Sequence, residues 1–398
     1  MLGYLHRNHR LLMLALFIWA LGEGIWYVNL RQLYLVELGA TTAQVGVALA
    51  LEAVARALLP IPAGYLSDRF GARTIMISSW FLGIVGTLVG ALARTWQMFV
   101  PGLVIYAMSA FAVPSLNAYS IHSMVDRKAP GAAERVLTTI FAGYSAGLVL
   151  SPAVGGAIAN RFGIRTCLWL SVGIFALSTA VVLLTGPARA PHTEHAYRPL
   201  DLLHNRRFIA LCIYYPLVYM ALLVGVQLIP NFLQDVRLFS FASIGLLFSF
   251  LSAGSALISL IAGRLNPRWS FAATLAVCWL ALLGVWHLTD LRVLCGMFFA
   301  LGAIYTVRAL AAAGVSHVAD GSHQALAFGV VETLFSLATA LASWLAGHLY
   351  GLTPARDLPF AASLIALLPM IALWFVVRSW LVPARGPLDA TPVVTSAD

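Results

Sequence analysis

The sequence predicts an all-α integral membrane protein, with twelve transmembrane helices forming two pseudo-symmetric six-helix bundles. Three observations predict it. The 398 residues are 61% hydrophobic and only 10% charged, whereas a soluble chain carries about 25% Asp, Glu, Lys and Arg to keep its surface wet. Twelve apolar runs are each close to the roughly 20 residues that one bilayer crossing takes as a helix. The basic residues gather in every second connection, as the positive-inside rule requires of a multi-pass protein. Soluble enzymes, disordered chains and nucleic-acid-binding domains are excluded by the same composition, despite a pI near 9.7.

The runs fall in order at about 11–35, 43–63, 74–93, 97–121, 137–159 and 166–187, then at 208–233, 242–262, 271–289, 292–315, 326–349 and 359–378. The first follows His6, Arg7, His9 and Arg10 but contains Glu23 and continues past Trp26 without a small-residue cleavage site. It is therefore a retained helix rather than a secretory leader. Between the sixth and seventh runs lies a polar stretch, Ala188 to Arg207, with three histidines, two prolines and four arginines. The organisation is an N-terminal bundle at 1–187, a cytoplasmic linker at 188–207, a C-terminal bundle at 208–378 and a disordered tail at 379–398.

With both termini cytoplasmic, fifteen Lys and Arg residues fall inside, six fall outside and three (Arg31, Arg56 and Arg308) lie within helices. The Arg-to-Lys ratio of 23 to 1 is that of a GC-rich bacterial genome, which places the chain in a bacterial cytoplasmic (inner) membrane. Cys167, Cys212, Cys278 and Cys295 are scattered through apolar runs and read as small buried hydrophobes, not as disulfides or zinc ligands. His192-Thr193-Glu194-His195 sits in the polar linker without helical spacing and reads as solvated. No metal and no cofactor is expected. Gly143-Tyr144-Ser145-Ala146-Gly147 has the letters of a hydrolase nucleophile turn. It lies inside an apolar helix, however, where the strained strand-to-helix turn that such chemistry needs is absent.

The halves resemble each other. Gly46 and Gly64 bracket the second run 18 residues apart, and Gly245 and Gly263 bracket the eighth at the same separation. Asn29 in the first run aligns with Gln227 in the seventh. Parallel repetition of six-helix halves points to a secondary transporter with its site between the halves. The loop after the second run reads Gly64-Tyr65-Leu66-Ser67-Asp68-Arg69-Phe70-Gly71-Ala72-Arg73. It resembles the signature of the major facilitator superfamily, matched at Gly64, Leu66, Asp68, Arg69 and Gly71, with the second basic position displaced to Arg73. The resemblance spans the chain through the 6 + 6 pattern. It implies that Asp68 holds a cytoplasmic gate closed against the start of the eleventh helix. The corresponding loop of the second half has Pro267 in place of the aspartate, so the latch is expected to be asymmetric. The fifth run carries Gly147, Ser151, Pro152, Gly155 and Gly156, which is similar to the superfamily's antiporter-associated pattern with Ser151 replacing a glycine. That resemblance implies a bent helix sealing the outer side and favours export. The fourth run departs from the proton-antiporter pattern, with Pro114, Ser115 and Asn117 where an arginine would fall.

Six charges fall within the runs: Glu23, Arg31, Glu52, Arg56, Arg308 and Glu332. Each costs roughly 2.5–3.5 kcal/mol at a helix centre, so they must pair or line a wet cavity. Depth around a turn near Gly39 matches Glu23 with Arg56. Spacing around Asp320 matches Arg308 with Glu332, and Glu52 and Arg56 share a helix face four residues apart. Spacing leaves open which of these pairs forms. The resemblance implies a cavity lined by the first, fourth, seventh and tenth helices, which makes Glu23 and Arg308 the best central candidates. A carboxyl facing a low-dielectric pocket can carry a proton, so Glu23 is expected to be the coupling carboxylate, with Glu332 as second choice. Trp26, Asn29, Asn117, Tyr215, Tyr219 and Gln227 are the candidate substrate-facing residues; aromatic walls with a few polar handles suit an amphipathic organic molecule. The expected activity is proton-coupled efflux of a small organic molecule by a monomer using alternating access, with no enzymatic chemistry and no nucleic-acid partner. The alternative is uptake of a sugar-like or carboxylate solute.

Overall fold

A computed structural model describes residues 6–58, 62, 66–67, 69–124, 132–187, 205–262, 267–316 and 324–381. Gly64, Asp68, the His192–His195 cluster, Gly263 and the tail beyond residue 381 lie outside the described residues. Among the described residues there are helices and no strands. In chain order they are α1 (Arg7–Trp26, continued by Arg31–Glu37), α2 (Thr42–Ala57), α3 (Ala72–Leu92), α4 (Trp96–Met108, a tight turn, then Ala112–His122), α5 (Ala132–Phe162), α6 (Ile164–Leu183), α7 (Arg206–Val226, continued by Ile229–Asp235), α8 (Phe241–Ala262), α9 (Pro267–His287), α10 (Leu291–Leu301, continued by Ala303–Ser316), α11 (Gln324–Tyr350) and α12 (Leu358–Leu381). Eleven of the twelve are long and apolar enough to cross a bilayer. The exception is α2, whose described length is 16 residues and which carries both Glu52 and Arg56.

Within the first half, α1 packs on α5 and α6, and α3 on α4 and α6; within the second, α7 packs on α11 and α12, and α9 on α10 and α12. The interior of the first half is aromatic. Trp19 stacks on Phe175 at 4.2 Å, and Trp26 meets Tyr106 edge-on at 5.2 Å. Serines of α6 give their hydroxyl protons to α1 carbonyls, Ser171 to Gly22 at 2.8 Å and Ser178 to Ala15 at 2.7 Å. Such contacts fix helices where lipid supplies no hydrophobic drive between them. Arg73 closes the same bundle differently, donating from Nε to the Thr185 carbonyl at 3.0 Å and from Nη2 to that of Leu183 at 3.1 Å. It thereby satisfies acceptors that the C-terminus of α6 leaves open.

The halves meet chiefly along two helix pairs, α5 with α8 and α2 with α11, and also where the continuations of α1 and α7 touch, with Gln32 Nε2 donating to the Gln227 carbonyl at 3.3 Å. Each helix pair centres on facing glycines. A Cβ on Gly156 would stand 2.9 Å from the Cα of Gly245, and one on Gly46 would stand 2.8 Å from the Cα of Gly347. Only hydrogen fits at that separation. In the α5–α8 contact, Ser249 Oγ also accepts the Ala153 N–H at 3.0 Å. These contacts lie at the end of the molecule that carries the loops after Glu37, Phe162, Asp235 and Tyr350. The glycine crossings form a seal there, and the α2–α11 contact continues along α2 to Ala57, whose carbonyl accepts from Thr333 Oγ1 at 3.5 Å.

Candidate functional site

Glu23, Tyr27 and Arg31 follow one another at four-residue intervals, which on a helix is one face. That face of α1 looks into a cavity of about 380 Å³ between the halves, whereas Trp19 and Trp26 look back into the first bundle. The cavity lies beside the seal, toward the end that holds Arg7. On α2 the sealing residue is Gly46 and the lining residues are Leu49, Glu52, Ala53 and Arg56. At 1.5 Å per residue, Arg56 is about 15 Å deeper than Gly46. Helices α5, α7, α8, α10 and α11 complete the wall, with Tyr144, Ser145, Tyr219, Gln227, Tyr305, Arg308 and Ser343 among their polar contributions.

The charges divide into two ion-paired groups and one carboxylate outside them. Glu52 is buried and its Oε1 accepts a hydrogen bond from the Tyr27 hydroxyl, with Arg56 Nη2 at 3.3 Å from Oε1 and Arg31 Nε at 3.4 Å from Oε2. Arg56 also donates to the Tyr27 oxygen, and the Arg31 guanidinium lies 4.1 Å above the Tyr27 ring. The tyrosine is thus held between two cations and a carboxylate. In the second half, Arg308 pairs with Glu332, and its guanidinium lies 5.7 Å from the centre of the Tyr219 ring. Glu23 has no ion pair among the described residues; it accepts a hydrogen bond from the Tyr144 hydroxyl at 2.9 Å.

Of the pairings that spacing allows, Glu52–Arg56 and Arg308–Glu332 form, while Glu23 and Arg56 share the cavity without a direct bond. Of the substrate-facing candidates, Tyr219 and Gln227 line the cavity. Trp26 packs against Phe99 and Tyr106, Tyr215 against Phe271 and Trp374, and Asn29 is fully buried. Among the described residues neither Asn117 nor any other residue of α4 lines the cavity; α2, α5, α8 and α11 do instead. The reason is the way the halves meet. Helices α2 and α5 carry the first half's share of the contact and so border the gap, whereas α4 is packed against α3. Tyr144 and Tyr305 are cavity residues that sequence reasoning passed over. Their signal was a lone polar ring on a face of small or apolar residues.

The fifth-helix residues serve two faces. Gly147, Ser151 and Gly155 face α1, with Ser151 Oγ donating to the Ala20 carbonyl at 3.0 Å, while Pro152 and Gly156 face α8. Near the signature loop, Gly71 starts α3 at φ +85°, Arg69 is exposed beside Phe70, and Arg73 serves α6. The Tyr27 hydroxyl gives a stability prediction. Tyr27→Phe removes the group that both Glu52 and Arg56 use and is expected to cost about 1–3 kcal/mol, read as a lower unfolding midpoint in detergent.

Two helical halves joined through a glycine seal beside a charged cavity define a polytopic membrane carrier. The profile of the Major Facilitator Superfamily matches residues 12–289, and the chain belongs to that family of transporters. It is 27% identical over 151 residues to the multidrug resistance protein MdtG of Serratia proteamaculans (37% of this chain, 34% of that protein). It is 32% identical over 166 residues to the multi-drug resistance efflux pump PmrA of Streptococcus pneumoniae, covering 39% of each. The chain thus matches little more than a third of the length of these curated relatives. Among solved structures, the nucleoside transporter NupG superposes with a TM-score of 0.76 at 13% identity, over 94% of this chain and 99% of that one. A bacterial homologue of the human lysosomal transporter Spinster, inward-facing and occupied, gives 0.71 at 15% identity, over 93% and 96%. At these identities the structures establish the fold.

Proposed function

We propose that this protein is a secondary active transporter that carries a small organic molecule through the cavity by alternating access, with Glu23 as the proton carrier. The observation that supports coupling is the division of the carboxylates. Glu52 and Glu332 are tied to arginines, so protonating either one breaks an ion pair. Glu23 is bonded to a neutral phenol and can gain or lose a proton without breaking one. Deprotonated, it is drawn toward Arg31 and Arg56; protonated, it leaves Arg56 less compensated. That change reaches both halves, because Arg56 stands on the α2 contact.

With both termini cytoplasmic, as fifteen basic residues against six favour, the sealed end faces outward and the cavity lies on the cytoplasmic side. The chain then works as a monomer in a bacterial cytoplasmic membrane, with 1–187 and 208–378 as its rocking units and Asp68 as the gate residue of the opposite end. Export is the direction supported by the names of the efflux relatives. A second reading, proton-linked uptake of a sugar-like or carboxylate solute, is favoured by the guanidinium groups that the cavity exposes.

The test is Glu23→Gln in proteoliposomes, using a radiolabelled compound that shows counterflow with the parent protein. Exchange should persist, and accumulation driven by an imposed pH gradient should fall at least tenfold. Gradient-driven accumulation that survives in the variant removes Glu23 from the coupling role.

A further inference from the structure

The cavity wall carries two glutamates, Glu23 and Glu52, against three arginines, Arg31, Arg56 and Arg308, of which Arg308 is paired with Glu332, and it has an excess of hydrogen-bond donors. Glu52 is 5% exposed; its Oε1 accepts from Tyr27 and Arg56, and its Oε2, ion-paired with Arg31 at 3.4 Å, is buried out of a solute's reach. Arg56 and Arg308 are different. Their side chains are 39% and 34% exposed, and each meets its partners through Nη2 alone. A guanidinium carries five N–H donors in a planar fork that matches an oxyanion. Among the described residues, Nε and Nη1 of both arginines have no acceptor, and both side chains line the same cavity. One stands on α2 and the other on α10, in opposite halves, where their charges repel. Beside them lie the Tyr219 ring and Tyr305, which is 48% exposed.

We infer that the transported solute is an amphipathic organic anion whose oxyacid group is held jointly by Arg56 and Arg308, with its apolar part against Tyr219 and Tyr305. The inference rests on the transporter reading and names its substrate class. An anion there supplies the missing acceptors and cancels the repulsion between the halves. An empty cavity thus resists closing behind the solute and an occupied one closes. A cation would meet two exposed like charges instead, and a neutral solute would leave the repulsion in place.

The coupling sign follows. The charged and titratable groups facing Glu23 are Tyr144 of α5, Tyr106 of α4, Tyr305 of α10, Arg56 of α2 and Arg31 of its own helix. Phenols are neutral near pH 7 and the arginines are always charged. Glu23 is the member whose charge can change, and its protonation removes a negative neighbour of Arg56. Anion and proton therefore bind together and cross in the same direction, which selects the uptake reading over export by proton exchange.

The test uses three probes with one ring system: 1-naphthoate, 1-naphthamide and 1-naphthylmethylammonium, titrated calorimetrically into the purified protein. Naphthoate should bind saturably and the other two at least tenfold more weakly. Arg56→Gln and Arg308→Gln should each weaken naphthoate at least tenfold. Arg308→Gln combined with Glu332→Gln, which keeps the charge sum and leaves no unpaired carboxylate, should do the same. Naphthoate affinity should rise as pH falls in the parent and be flat in Glu23→Gln. Equal binding of the amide or the ammonium compound, no saturable naphthoate binding, or an unchanged affinity in the double variant overturns the inference. Naphthoate binding without counterflow in proteoliposomes keeps the anion clamp and removes the transporter reading; counterflow of the ammonium compound alone does the reverse.

Discussion

Glu52→Ala is expected to destabilise the protein by about 3–5 kcal/mol, the range for removing one partner of a buried ion pair. Glu52 accepts from Tyr27 and Arg56 and is ion-paired with Arg31, and without it two guanidinium groups lose the carboxylate they share. Glu332→Ala provides the comparison. Its side chain is 44% exposed and the Arg308 side chain 34%, so its loss should cost no more than about 1 kcal/mol. Unfolding midpoints of the two variants in the same detergent check the ranking. Equal midpoints would mean that Glu52 is not the anchor of the first half's charges.

The second large effect is expected at the seal. Gly245→Leu drives a branched side chain into Gly156 and the Pro152 carbonyl, both of them backbone that cannot rotate away. Overpacking of this kind costs about 1–3 kcal/mol, and separating α5 from α8 relieves it. The variant should insert normally, lose at least tenfold in counterflow, and rest with its sealed end open. Ser249→Cys reports the opening, because Ser249 is buried at the α5–α8 contact. A membrane-impermeant maleimide applied from the sealed side should label that cysteine in the Gly245→Leu background and not in the parent. The four native cysteines supply the control signal. No gain in labelling would show that the glycine contact is not what holds this end shut. Gly46→Leu, on the α2–α11 pair, should behave alike.

Much of this architecture was legible before any coordinates. Hydrophobic runs place eleven of the twelve helices to within about five residues, and the start of the second, whose end at 63 lies among residues outside the described ones, because in lipid a crossing must be apolar and helical over its whole length. The pairing of Arg308 with Glu332 was also within reach, since a hairpin brings equal depths together. The lining of the cavity was not. Trp26 and Glu23 are three residues apart and both attracted functional readings, yet one faces the first bundle and the other the gap. Which face of α1 looks inward depends on where α5 and α6 pack, a long-range fact absent from local spacing. The partner of Glu23 was hidden for the same reason. Tyr144 is 121 residues away and stood in the sequence only as part of a hydrolase-like string.

Where the glycines cross, the contact between the halves is made of peptide units and Cα hydrogens. A door of that kind carries no chemical memory of what passes through it. Mutations that retune the chamber beneath, exchanging one cargo for another, need not disturb the latch, and the latch in turn exerts no choice among cargoes. Selectivity and motion are thereby housed in different parts of the same chain, free to be altered one at a time.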